Sequence, residues 1–113
     1  MDDHFLTLFK YSPIPMYWWR LTDATFDPVL VDFNDAASEM TGGRIQELIG
    51  TRCSAMYADD ERIRDDFRVA FHDKRTVRRT LRYRLRSTGQ VGSFNASYIF
   101  IAPDSVIVAV LPL

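Results

Sequence analysis

Val31-Asp32-Phe33-Asn34-Asp35-Ala36-Ala37-Ser38-Glu39-Met40-Thr41-Gly42 begins with one kind of periodicity and ends with another. Its start belongs to Val29–Phe33, a β-branched and apolar run that reads as a strand. Asn34 or Asp35 then offers a side-chain oxygen to a free N–H of a first helical turn, which is what a helix start requires. Ala36 to Met40 follows as a short helix. Gly42-Gly43 ends it, because glycine enters the left-handed cap conformation without a Cβ clash.

Upstream, Met16 to Leu21 is aromatic-rich and reads as a strand, and Thr22 to Pro28 holds the turn residues Asp23, Asp27 and Pro28. With Val29–Phe33 these make a hairpin. Ser12-Pro13-Ile14-Pro15 stops any helix, since proline removes a donor and biases the residue before it away from α. Before it, Phe5, Leu6, Leu8 and Phe9 form an apolar stripe at helical spacing. The expected division is an N-terminal helical segment, residues 1–12, and one domain, residues 13–113.

Downstream, Arg44 to Ile49 gives a helical turn closed by Gly50. Asp59 to Lys74 reads as the one long helix, with Ile63, Phe67, Ala70 and Phe71 on one face. Its first turn is acidic (Asp59, Asp60, Glu61) and its last basic (Lys74, Arg75), matching the helix dipole at both ends. Three strands remain. Val77 to Arg86 alternates from Thr80 on, with Leu81, Tyr83 and Leu85 on one face and Arg82, Arg84 and Arg86 on the other. Ser87-Thr88-Gly89 turns the chain into Val91–Ile101, where Phe94, Ala96, Tyr98 and Phe100 share a face. Pro103-Asp104 turns it again into Val106–Leu111, apolar on both faces.

This order, strands flanking a helical insert, predicts an α+β fold: an antiparallel sheet with helices on one face. The last strand adds something. A strand with one face in water alternates; one covered on both faces does not. Something must therefore cover the second face near Val106–Leu111, and the stripe of Phe5, Leu8 and Phe9, from this chain or a partner, is the candidate.

The bulk properties narrow the function. At 113 residues, 47% hydrophobic and 26% charged, the chain suits one soluble domain with one core. A net charge of −1 provides no field for nucleic acid or membrane, and neither is expected as a partner. The apolar run around Ser105–Leu111 falls well short of the ~20 residues of a membrane span. Asp2 and Asp3 stand where a signal peptide would be basic. The single cysteine, Cys53, permits no internal disulfide and fits a reducing, cytoplasmic setting. Arginine outnumbers lysine 12 to two, as a GC-rich genome would give.

The ordered landmarks resemble the PAS family of sensory domains. Val31 to Gly42 is similar to the family's pattern of strand, Asn, Ala-Ala, Glu and Thr-Gly. Glu47-Leu48-Ile49-Gly50 is similar to its second landmark, Ser12-Pro13-Ile14-Pro15-Met16 to the lead into its first strand, and Gly89 to the turn of its second hairpin. The resemblance spans about residues 8 to 111. It implies a five-stranded antiparallel sheet with helices packed on one face, enclosing a small-molecule pocket. It also implies a bacterial sensory module that binds a ligand, dimerises, or both. Such a module regulates an attached C-terminal output domain: a kinase of a two-component system, a cyclic-dinucleotide enzyme or a transcription regulator. A ligand-free relay with a filled core is the alternative.

A small α+β enzyme is the third reading and has the least support. The sequence holds no glycine-rich phosphate loop, metal-spaced His/Cys cluster or nucleophile elbow. The adjacent carboxylates Asp59-Asp60 and Asp65-Asp66 lie on a helix with Arg62, Arg64 and Arg68, where ion pairs at offsets of three and four explain them. No catalytic residue and no metal ligand is expected.

The expected pocket residues are Trp18, Met40, Cys53, Met56 and Phe67, with Phe71, Tyr83, Phe94 and Tyr98. Asn95, Ser97 or Tyr83 would orient a ligand, since pockets are mostly apolar with a few placed polar groups. The expected dimer interface is Phe5, Leu8 and Phe9 with Val106, Val108 and Val110. The cofactor is left open. Cys53 stands where the light-sensing, flavin-binding branch of the family keeps its reactive cysteine, in Gly-x-Asn-Cys-Arg-Phe-Leu-Gln. Here the run is Gly50-Thr51-Arg52-Cys53-Ser54-Ala55-Met56-Tyr57, which lacks that Asn, Arg and Gln, so flavin is not expected and Cys53 reads as a buried core thiol. Haem is not expected either, because His72 sits near the end of the long helix beside Phe71, which claims the core face. Lys74 to Arg86 carries seven basic groups and no acidic one. That run reads as a solvated strand face, with a carboxylate clamp or the docking of acidic groups such as Asp2 and Asp3 as alternatives.

Overall fold

Five strands, β1 (Met16–Arg20), β2 (Val29–Phe33), β3 (Val77–Arg84), β4 (Val91–Ile101) and β5 (Ser105–Pro112), form one antiparallel sheet in the order β2-β1-β5-β4-β3. This computed structural model describes residues 3–84, 89 and 91–112, without the side chain of Tyr83. Asp2, Leu85, Arg86 and the turn residues Ser87 and Thr88 lie outside the described residues. The N-terminal strand β1 lies in the middle of the sheet beside the C-terminal strand β5, so both are flanked on each edge and each can be covered on each face.

The helical insert is α2 (Asp35–Met40), a 3-10 turn (Arg44–Leu48), α3 (Cys53–Met56) and α4 (Glu61–Asp73). Asn34 decides where it leaves the sheet. Its Oδ1 accepts from Ala37 N at 3.0 Å, the expected cap, and also from Met16 N at 3.0 Å. Its Nδ2 donates to Ile14 O at 2.8 Å. One fully buried amide thus starts α2 and fastens it to the entry of β1. Gly42 and Gly43 follow at φ 64° and 79°, the left-handed geometry read from the sequence.

The long helix begins after Asp60, whose side chain accepts from Ile63 N, and ends at Lys74 in left-handed geometry. Ile63, Phe67, Ala70 and Phe71 are buried on its sheet-facing side. The short α3 was not expected. It is too short to show a period, and Asp27 caps it from outside, accepting from Ser54 N at 2.8 Å and from Ser54 Oγ at 2.7 Å.

The sheet's inner face meets the insert and carries the main core: Trp19, Leu30, Ala96, Tyr98, Val106 and Val108 against Ile45, Phe67 and Phe71. The outer face is covered in part by α1 (Asp3–Tyr11), whose Phe9 and Phe5 pack on Trp18 and Ile107. Trp18 Nε1 donates to Ser105 Oγ there at 2.9 Å. The expectation that a second apolar layer covers the last strand is met by this chain's own helix.

Two expected groupings need correction. Val106, Val108 and Val110 alternate with Ile107 and point inward, into the core or its cavity, so they are not at the surface for a partner. Phe9 is 4% exposed and Phe5 half-buried, both held by Trp18 of the same chain. Of the six residues expected at an interface, Leu8, 69% exposed, is the one left facing out.

Candidate functional site

A cavity of about 80 Å³ lies between the inner face of the sheet and the insert. Strand alternation builds its floor: Tyr17 and Trp19 from β1, Phe94, Ala96 and Tyr98 from β4, and Val108 and Val110 from β5. Leu30 and Leu81 close its sides. The roof is Met40 and Thr41 at the end of α2, Ile45 and Leu48 of the 3-10 turn, Met56 and Tyr57, and Ile63 and Phe67 of α4. Phe67 is the hub of the aromatic wall. Its ring lies edge-on to Trp19 at 5.0 Å and to Tyr98 at 5.1 Å.

Among the described residues, none that lines the cavity carries a formal charge. Its polar groups are few. The Thr41 hydroxyl is committed to its own helix, donating to Ala37 O at 2.9 Å. Among the described residues, the Tyr17 hydroxyl meets a thioether, Met40 Sδ at 3.8 Å, which is a weak acceptor. Burial pushes the Tyr17 phenol up to about 12. Burial, with Asp66 adding to it, raises the Tyr98 phenol further. Both stay neutral across the physiological range.

The structure brings together Met40, Met56, Phe67, Phe94 and Tyr98 of the expected set. Cys53 and Phe71 are buried in the same core but do not line the cavity; Phe71 packs instead on Phe100. Trp18 belongs to the outer face, one residue out of register with the site. Tyr83 is not placed, its side chain lying outside the described residues. Asn95 is exposed and pairs with Thr80 at 2.7 Å on the far face of the sheet, so it does not reach the cavity. Ser97 shares that face by strand alternation. Sequence reasoning missed the polar Tyr17, Thr41 and Tyr57 and most of the aliphatic lining, Leu30, Ile45, Leu48, Ile63 and Leu81 among it. Tyr17 was within reach, since it shares a face with Trp19 in any strand reading.

The residues do not fit a flavin. A tricyclic ring needs far more than 80 Å³, and Cys53 does not face the space. Burial pushes the Cys53 thiol up to about 12, with Asp27 adding to it, so it is no ready thiolate. Its neighbours are spent elsewhere: Arg52 holds Asp23 at 2.9 Å and the Asp27 carbonyl at 3.1 Å, and Ser54 holds Asp27. His72 is exposed on the outer side of α4, against Phe26 and Asp73, and cannot ligate a haem iron in the cavity. Among the described residues no group of three or more His, Cys, Asp or Glu could hold a metal ion.

The basic strand divides by alternation. Arg79 faces α4, where its Nε meets the buried Asp66 at 2.9 Å. Arg78, Arg82 and Arg84 are exposed on the outer face, and Arg84 donates to Gly89 O at 3.0 Å. None of the strand's arginines reaches the cavity. No helix among the described residues is long and apolar enough to cross a membrane.

No family model and no curated protein matches this sequence. Solved structures do. A LOV protein from Rhodobacter sphaeroides superposes with a TM-score of 0.76 at 19% identity, over all of this chain and 69% of that one. A domain of the sensory box sensor histidine kinase/response regulator from Geobacter sulfurreducens gives 0.73 at 11% identity, over 96% of this chain and 90% of that one. A PAS domain of an HTR-like protein from Haloarcula marismortui gives 0.64 at 16% identity, over 98% and 96%.

Proposed function

Because the chain has a PAS fold, an α+β architecture shared with those neighbours, we propose that it is a sensory signalling module that holds a small molecule between sheet and helical insert. The supporting observation is the apolar cavity around Phe67, enclosed by the main core between sheet and insert. Occupancy would be felt by α2 and α4 at once, since both contribute to the roof. A kinase, a cyclic-dinucleotide enzyme or a transcription regulator attached beyond the domain would receive that change. The module itself performs no chemistry in this reading; the described residues that line the cavity offer no pair of converging charged groups.

Native mass spectrometry of the chain purified from its source tests it. Excess mass over the 13.1 kDa polypeptide is expected, and its value gives the ligand class. A bare mass, together with no response to small apolar probes, would favour the filled-core relay.

Self-association belongs to the same proposal, through a different surface from the one the sequence pointed to. Leu8 and Tyr11, three residues apart on α1, are 69% and 73% exposed on one side of the helix, while Leu6, 41% exposed, lies on the other side of the Phe5–Phe9 stripe. A second copy laid on this face would bury it. Light scattering at micromolar concentration should give a dimer, and Leu8→Glu should make it a monomer while the circular dichroism stays unchanged. A wild-type monomer removes this part of the proposal.

A further inference from the structure

Resting on the reading of the cavity as a ligand site, we infer that it takes a small neutral molecule of about three to five non-hydrogen atoms that carries one hydrogen-bond acceptor, and that Tyr17 donates to that acceptor. Size comes first. An apolar cavity of ~150 Å³ takes benzene, and this one is about 80 Å³. Met40 and Met56 in the roof are unbranched and can give way by a rotamer, which allows a slightly larger guest.

Charge comes second. A carboxylate, phosphate or ammonium entering the cavity would lose its hydration and find no opposite charge among the described lining residues. The arginines of β3 point to the outer face or to Asp66 and cannot compensate it. Ionic metabolites are thereby excluded, however well their size fits.

The hydrogen bond comes third. The Tyr17 hydroxyl meets the Met40 sulfur at 3.8 Å, a contact that costs little to give up. A ketone, aldehyde, ether or alcohol oxygen accepts better than a thioether. The phenol is neutral at physiological pH and so is always able to donate.

Three probes of nearly one shape separate these terms: butanone, 2-methyl-1-butene and propionate. Ligands of about five heavy atoms bind no more tightly than roughly micromolar, so titration runs into the millimolar range, followed by NMR of the methyl and aromatic signals of Phe67, Val108 and Met56. Butanone and 2-methyl-1-butene should both move these signals, and propionate should leave them in place. Tyr17→Phe, which removes only an oxygen, should weaken butanone about three- to tenfold and leave the alkene unchanged. Propionate binding as well as butanone, or Tyr17→Phe affecting both neutral probes alike or neither, overturns this inference and leaves the ligand site standing. Silence from all three, with xenon under pressure also moving nothing, overturns the ligand site itself.

Discussion

Trp18 and Trp19 are neighbours in sequence and belong to different cores. Trp19, 2% exposed, lies in the inner cluster with Phe67 and Tyr57, drawing on all five strands and three helical pieces. Trp18, 6% exposed, lies in an outer cluster with Phe5, Phe9 and Ile107. The two rings are almost equally buried, yet what buries them differs. The inner lid is fastened through Asn34, Asp27, the Asp66–Arg79 pair and the chain connections at both its ends. The outer lid is one helix of nine residues, held to the sheet mainly through Phe5 and Phe9. Such a helix is too short to persist alone in water, so α1 depends on the sheet. The sheet, closed on its inner side, does not depend on α1 in the same degree. Equal burial is therefore not equal stability.

The strongest way to break this comparison is Phe67→Ala. Phe67 is 1% exposed and touches Trp19, Tyr57 and Tyr98. Its neighbours are fixed by both layers and cannot collapse onto the void, so urea unfolding should show a loss of about 3–5 kcal/mol. A loss below ~1 kcal/mol would mean that the existing cavity lets the site relax, and the inner core would be looser than its burial suggests.

Phe9→Ala sharpens it from the other side. Phe9 is 4% exposed and packs edge-on to Trp18 at 5.6 Å, so area alone would assign it a similar cost. The cost is capped, however, by the free energy with which α1 docks, because the chain can release the helix instead of unfolding. About 1–2 kcal/mol is expected, under the usual range for a buried phenylalanine. Hydrogen exchange should show α1 amides opening while those of β5 stay protected. Loss of protection in both together would make the two faces one cooperative unit. Phe9→Asp would tear α1 from its own sheet, not weaken a contact with a partner.

The same contrast explains what the sequence made legible. The architecture was readable because its boundaries are written in local chemistry: Asn34 as a cap, Gly42-Gly43 as a stop, Asp60 at the head of the long helix, alternation in β4. Sidedness was readable where one face meets water, as in β3 and β4. It failed in β1 and β5, which are covered on both faces and so lose the apolar–polar alternation that marks an inside. Trp18 was therefore placed in the pocket and Tyr17 left out, and the inward valines of β5 were offered to a partner. The α3 cap was hidden for another reason. Its acceptor, Asp27, is 27 residues away from Ser54 and no window of local sequence contains both.

The smallest effect concerns the polar clasp at the rim of the inner lid. Asp23 sits in the β1–β2 loop, accepting from the Thr25 hydroxyl at 2.6 Å, from Thr25 N at 3.1 Å and from Arg52 at 2.9 Å. The Thr25 bonds, then Arg52, hold its carboxyl down at about 2. A depressed carboxylate contributes stability above its unfolded value, ~3.9, and loses that contribution as pH falls through the folded value. The clasp should thus be intact at neutral pH and open between about 4 and 2, a change confined to the loop because the group is solvent-exposed. NMR titration of Asp23 should place its midpoint near 2. Because the Thr25 hydroxyl bond is the largest single contribution, Thr25→Val should raise that midpoint more than Arg52→Met does, even though Thr25 N still donates. The reverse order would mean that the clasp is held by charge across the loop, and the lid would then loosen with salt as well as with acid.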